Sequence, residues 1–132
     1  MEDTLWNHDR VAICRIMAMV GAYETGDIVV FQTDLNGQSE KLVKRVIAKE
    51  GDTITIEDGC VWLNGTLLDE TYAKGVTEGS LSLTVPEGEI FVMGDNREHS
   101  TDSRSFGTIS EKDVQGKVLV RFYPLNQIAF YF

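Results

Sequence analysis

The sequence is short of the residues that most often announce a site. Its 132 residues hold two cysteines, two prolines and two histidines. Cys14 and Cys60 stand far apart in apolar surroundings, which excludes a disulfide framework and a cysteine-built zinc site. Each reads as a small buried or half-buried side chain. With only His8 and His99 present, a Ser-His-Asp triad would have to draw on one of them. His99 lies near Ser100 and Asp102 in the chain, but neighbours in a loop do not make triad geometry, so a solvated loop histidine is expected. Basic residues are also scarce: 12 Lys and Arg stand against 21 Asp and Glu, a formal charge of −9. That excludes the basic face a nucleic-acid binder needs. No apolar run approaches the ~18 residues that span a bilayer, and the longest, Val11 to Tyr23, is broken by Arg15 and Gly21. There is no signal-peptide pattern and no phosphate-binding glycine loop, and Asp95, Asn96 and Asp102 miss the calcium-loop spacing. No metal and no cofactor are expected.

What is present is an ordinary globular composition, 42% apolar and 25% charged, in a length that suits one domain over 1–132. Short β-type runs recur: Arg10–Ile16, Asp27–Gln32, Lys41–Lys49, Thr53–Glu57, Cys60–Leu63, Leu81–Val85, Ile90–Met93 and Lys117–Tyr123. Turn residues separate them. The expected fold is mainly β, with antiparallel folded sheets in a barrel-like arrangement. Thr53–Glu57 alternates cleanly, and Asp58-Gly59 and Asn64-Gly65 read as two-residue hairpin turns. These runs form a small inserted β-hairpin and loop region at about 53–85. Leu67 to Ser80 is polar without a period and reads as an exposed loop. Only Ile109 to Gln115 reads as helical, with Ser110 as its N-cap. The apolar end, Ile128 to Phe132, suits a core strand, a membrane-surface contact or a truncation point.

Two stretches carry chemistry. Gly94 to Arg104, GDNREHSTDSR, sets short acceptors (Asp95, Ser100, Asp102, Ser103) among forked donors (Arg97, Arg104). Such a run can satisfy its own polar groups even when buried. Lys41 to Ala48 is a strand whose alternation puts Leu42, Lys44, Val46 and Ala48 on one face, and Val43, Arg45 and Ile47 on the other. A lysine between Leu42 and Val46 is a candidate for desolvation, which can lower its pKa by up to ~3–5 units from about 10.4. A neutral lysine near pH 7 can serve as a general base. Arg45 needs a carboxylate, with Asp95 or Asp102 as natural partners. The plainer alternatives are a self-paired surface loop and an edge strand guarded by charges.

KRVIAKEGD (Lys44 to Asp52) followed by GDNREHSTDSR resembles bacterial type I signal peptidases. The segments at Gly26–Phe31, Val85–Gly88 and Phe106–Ile109 are similar as well, so the resemblance covers nearly the whole chain apart from the loop around Leu67 to Ser80. It implies a membrane-anchored serine protease with a Ser/Lys dyad that removes signal peptides from exported preproteins on the extracytoplasmic face of the cell membrane. It implies Lys44 as general base and Ser100 as the hydroxyl that orients it. Asp102 and Arg104 become the ion pair holding the loop, with Asp95, Asn96, Arg97 and Arg45 in support. Met1, Leu5, Leu42 and Val43 would line the substrate pocket, and Thr101 would lie where the loop passes it. A monomer is expected.

The departure is at the start. The family's nucleophile lies in a motif of the form Ser-Met-x-Pro-Thr-Leu, and this chain reads Met1-Glu2-Asp3-Thr4-Leu5. Met1 then follows the nucleophile's place, and Asp3 stands where proline is usual. The serine and the membrane anchor are expected immediately upstream of this sequence, so the chain as it stands is expected to be inactive. The alternative is a non-catalytic homologue that binds extended peptides as an assembly or chaperone-like factor. A self-cleaving protease of the repressor type shares the dyad but gives no reason for the long GDNREHSTDSR segment.

Overall fold

The computed structural model describes every residue except 3, 7 and 132. The chain runs through β1 (Arg10–Cys14), α1 (Arg15–Met19), β2 (Ile28–Leu35), β3 (Gln38–Lys49), β4 (Thr53–Glu57), β5 (Cys60–Leu63) and β6 (Thr66–Leu67). It continues through β7 (Leu81–Thr84), β8 (Glu89–Met93), α2 (Ser103–Phe106), β9 (Ile109–Ser110), β10 (Val114–Tyr123) and β11 (Ala129–Phe130). Among the described residues no helix is long and apolar enough to cross a membrane.

Glycine-containing dipeptides set the hairpins. Asn36-Gly37, Asp58-Gly59 and Asn64-Gly65 each place both residues at positive φ, the backbone of a two-residue turn that matches strand twist. Asn36-Gly37 joins β2 to β3, with Leu35 opposite Gln38 and Ile28 opposite Arg45. The other two turns link β4 to β5 and β5 to β6.

All named strand pairs are antiparallel, and they form two sheets. The larger has the order β1-β10-β2-β3-β8-β9, with β11 also on β10, and the smaller has the order β6-β5-β4-β7. The mainly antiparallel β fold read from the sequence is therefore present. The larger sheet stays open: among the described residues no ladder joins β1 to β9, so there is no closed barrel.

Three apolar clusters hold the sheets. Tyr23, Val29, Phe31, Val46 and Val92 pack on one face of the large sheet, while Ile28, Val30, Val118 and Leu5 pack on the other. Ile47, Ile54, Ile56, Phe91 and Met93 join the two sheets. β2 is thus buried on both faces, which explains its unbroken Ile28-Val29-Val30-Phe31 run.

Local readings differ from the structure where tertiary packing intervenes. Strict alternation in β3 assigns Ala48 to the face of Lys44. The register with β8 shifts between Val46 and Ala48, and this bulge puts Ile47 and Ala48 in the same cluster. The Arg10–Ile16 run stops as strand at Cys14 and turns into α1. The helical reading of Ile109 to Gln115 shrinks to a single 3-10 turn at Glu111–Asp113, because β9 and β10 claim its flanks. Ser110 does cap that turn, accepting the Lys112 amide at 3.2 Å.

Candidate active site

β3 and β8 carry the two chemical stretches side by side. Arg45 lies opposite Met93 in the ladder, so the loop that follows β8 begins beside Lys44. Lys44 is buried, 8% exposed, and its Nζ donates to Ser100 Oγ at 2.8 Å. Burial is the largest influence on it and pushes its pKa below the ordinary 10.5; Asp102 and Asp95 oppose that shift, while Arg104 reinforces it.

Gly94 makes this contact possible. A Cβ on that residue would fall 2.1 Å from Ser100 Oγ and 3.3 Å from Lys44 Nζ. The residue must therefore be glycine for lysine and serine to meet across it.

The loop is held by charges that are buried and paired. Asp102 accepts the Gly94 amide at 3.0 Å and a two-pronged grip from Arg104 Nε and Nη2, each at 2.9 Å. It also caps α2 through the Arg104 amide. Burial alone would raise the Asp102 pKa, but the Arg104 hydrogen bonds and the Gly94 amide hold it below the ordinary carboxylate value. Arg104 Nη2 donates onward to the Arg97 carbonyl at 3.0 Å. Ser103 Oγ accepts the Val92 amide at 2.9 Å and ties α2 to β8.

Of the two partners considered for Arg45, the structure chooses Asp95, in a bidentate pair at 2.9 and 2.7 Å. The remaining Arg45 nitrogen donates to the Gly26 carbonyl at 2.7 Å.

The loop does not satisfy itself alone. Arg97 pairs with Glu70 and donates to Thr77 Oγ1 at 3.1 Å. Tyr72 stacks on the Arg45 guanidinium, 4.0 Å from ring centroid to Cζ. The Lys74 amide donates to the Asp95 carbonyl, and the Arg97 amide to the Lys74 carbonyl, each at 2.8 Å. The stretch read as an exposed loop is in part a brace behind the site, with Thr77 buried and Glu70 and Tyr72 half-buried. Burial, and next the Glu70 charge, push the Tyr72 phenol up to about 12, so it stays neutral. No local pattern in the sequence marks Glu70, Tyr72 or Thr77 for this role.

On the open side, Met1, Leu5, Leu42, Val43 and Lys44 line one hollow of about 280 Å³, together with Trp6 and Val11. Asp9 and Lys41 add charges to its lining. Thr101 is not in this lining. It is exposed and borders a separate hollow with Asp34, Glu40 and Phe106. Asn96 is half-buried and donates to Glu2 at 3.4 Å. Thr4, to which the sequence assigns no role although it sits inside the Met1 to Leu5 motif, donates to Asp95 Oδ2 at 2.5 Å. His99 is exposed, in a 3-10 turn. From Gln38 to Lys44, β3 pairs only with β2 among the described strands, because β8 joins it only from Arg45 onward. Its second edge is therefore free beside Lys44 to take an extended peptide.

Comparisons with known proteins place the chain in a family. Residues 1–123 match the family model described as signal peptidase, peptidase S26. The chain is 37% identical to signal peptidase I P of Bacillus subtilis subsp. natto, over 97% of this chain and 75% of that protein. It is 34% identical to signal peptidase IB of Staphylococcus aureus, over 100% of this chain and 78% of that protein. A crystal structure of a signal peptidase I from Enterococcus faecalis aligns with a TM-score of 0.63 at 34% identity, covering 74% of this chain and 96% of that one. With a family match across most of its length and the same fold in a solved relative, this chain belongs to the signal peptidase family, peptidase S26.

Proposed function

We propose that this chain is the catalytic domain of a peptidase that removes signal peptides from exported proteins by a Ser/Lys dyad with Lys44 as general base. One observation carries the reading: a buried lysine amine held on Ser100 Oγ at 2.8 Å, at the wall of an apolar hollow and beside a free strand edge. A lysine kept in water stays protonated at neutral pH, whereas one whose pKa burial has lowered can take a hydroxyl proton. Ser100 fixes the direction of its lone pair.

The nucleophile in this reading is the serine joined to the Met1 nitrogen, which is the motif position just ahead of Met1. The Met1 nitrogen is close enough to Lys44 to feel its charge. The serine Oγ attacks the carbonyl at the signal-peptide junction and Lys44 takes its proton. Lys44 returns that proton to the leaving amine, and water clears the acyl-enzyme. The substrate lies extended along the free edge of β3, with small side chains against Leu42, Val43, Met1 and Leu5. A membrane anchor upstream of Met1, with the site on the extracytoplasmic face, completes the proposal.

The test is to place serine and the preceding segment before Met1 and assay cleavage of a signal-peptide substrate. Cleavage is expected, and Lys44→Ala lowers it by roughly 10²–10⁴-fold, the usual worth of a general base. Cleavage untouched by Lys44→Ala overturns the assignment.

A further inference from the structure

Among the described residues, the segment that leads from Met1 to β1 is held internally by turn hydrogen bonds. The Thr4 and Leu5 amides donate to the Met1 carbonyl at 3.0 and 2.7 Å, and the Asp9 amide donates to the Trp6 carbonyl at 3.1 Å. Among the described strands, none precedes β1 at Arg10. Yet this segment supplies Met1 and Leu5 to the hollow that Lys44 also lines.

Besides the Thr4 and Glu2 contacts to the loop after β8, the segment is anchored from the far end of the chain. Arg121 Nη1 donates to the Thr4 carbonyl at 2.7 Å and pairs with Asp9 at 3.3 Å. Arg121 Nε donates to the Gln127 carbonyl at 2.7 Å. The Tyr131 hydroxyl donates to the same Thr4 carbonyl at 3.2 Å, and its ring packs against the cluster that contains Leu5. A guanidinium is a rigid fork of five donors and can hold two carbonyls and a carboxylate at once, which an ammonium on a flexible stem cannot do at the same geometry.

We propose that Arg121 and Tyr131 are positioning residues that fix the Thr4 carbonyl, and through it the Met1 nitrogen, against Lys44. The proposal deepens the dyad reading and rests on it. It also accounts for the apolar C-terminal segment, because Tyr131 and the turn at Leu125–Gln127 hold the wall of the cleft to which the nucleophile is joined.

The test uses the 132-residue chain with its amines carrying ¹³C-methyl groups, and follows the Met1 and Lys44 resonances by NMR as pH is varied. In the unaltered chain the Met1 amine is expected to titrate below its ordinary value of 8.0, through burial first and the nearby Lys44 charge second. In Arg121→Gln its midpoint returns to the ordinary value, Arg121→Lys behaves nearly the same, and Tyr131→Phe moves it part of the way. A folded Arg121→Gln with an unmoved Met1 midpoint overturns the proposal. If that variant does not fold by near-UV circular dichroism, Tyr131→Phe decides, and an unmoved midpoint there overturns it equally. General loss of stability does not shift a midpoint in the folded state, so the readout separates positioning from mere support. Lys44 titrating at its ordinary value in the unaltered chain would defeat the base assignment instead, and is read from its own resonance.

Discussion

The two walls of the cleft are built on opposite plans. The wall formed by β3 and the loop after β8 buries Lys44, Arg45, Asp95, Arg97 and Asp102, and gives each a partner at hydrogen-bond distance. The facing wall, to which Met1, Leu5, Trp6 and Asp9 contribute among the described residues, is mostly apolar toward the hollow, and it meets the charged wall through Thr4 on Asp95 and Glu2 on Asn96. Buried charge costs desolvation, and only a geometry that pairs every group recovers it. Such a wall has one stable arrangement, which suits a base that must keep its direction. An apolar wall held by a few hydrogen bonds suits a surface that receives varied side chains.

Asp95 stands where the two plans meet, so removing it gives the largest expected effect. Asp95→Ala strips Arg45 of its bidentate partner and Thr4 of its acceptor. A broken buried pair typically costs about 3–5 kcal/mol, and chemical denaturation should show a loss of that size. A loss below about 1 kcal/mol would mean that water replaces the carboxylate freely, and the charged wall is not the rigid one.

Tyr72 sharpens the comparison from behind. Tyr72→Leu removes the ring from Arg45, and a desolvated cation–π contact is worth about 0.5–2 kcal/mol. Tyr72→Phe keeps the ring face and should cost clearly less. Equal losses for the two variants would assign the effect to the phenol hydroxyl rather than to the stacked cation.

The smallest effect has the opposite sign. Folding lowers the Lys44 pKa from 10.5, so between the folded value and 10.5 the unfolded chain binds the extra proton and stability rises with pH. At neutral pH the buried lysine is a cost to the fold. Lys44→Met should raise the melting temperature at pH 7, with the advantage closing as pH approaches 10.5. A variant less stable than the parent at pH 7 would show that the Ser100 hydrogen bond outweighs the burial.

Several parts of this arrangement were legible in the chain. The turn dipeptides at 58–59 and 64–65 demand positive φ, and so fix hairpins wherever they occur. The polar run from Gly94 to Arg104, set beside a strand with Lys44 between Leu42 and Val46, carries the family resemblance and the lysine proposed as base. Other parts were not legible because no local signal marks them. The bulge at Ile47 answers to packing between the two sheets. Glu70, Tyr72 and Thr77 lie in a stretch with no period, and their function comes from the cations they meet.

Strands, turns and the identity of the charged groups thus follow from the order of residues alone, through side-chain period, backbone φ and residue chemistry. Which charge meets which was settled in the folded chain. Arg45 took Asp95 over Asp102, a loop of the smaller sheet came to brace the site, and Arg121 reached back to Thr4 across more than a hundred residues. Pairing of buried charge depends on distance and desolvation after folding, and separation along the chain carries no information about either.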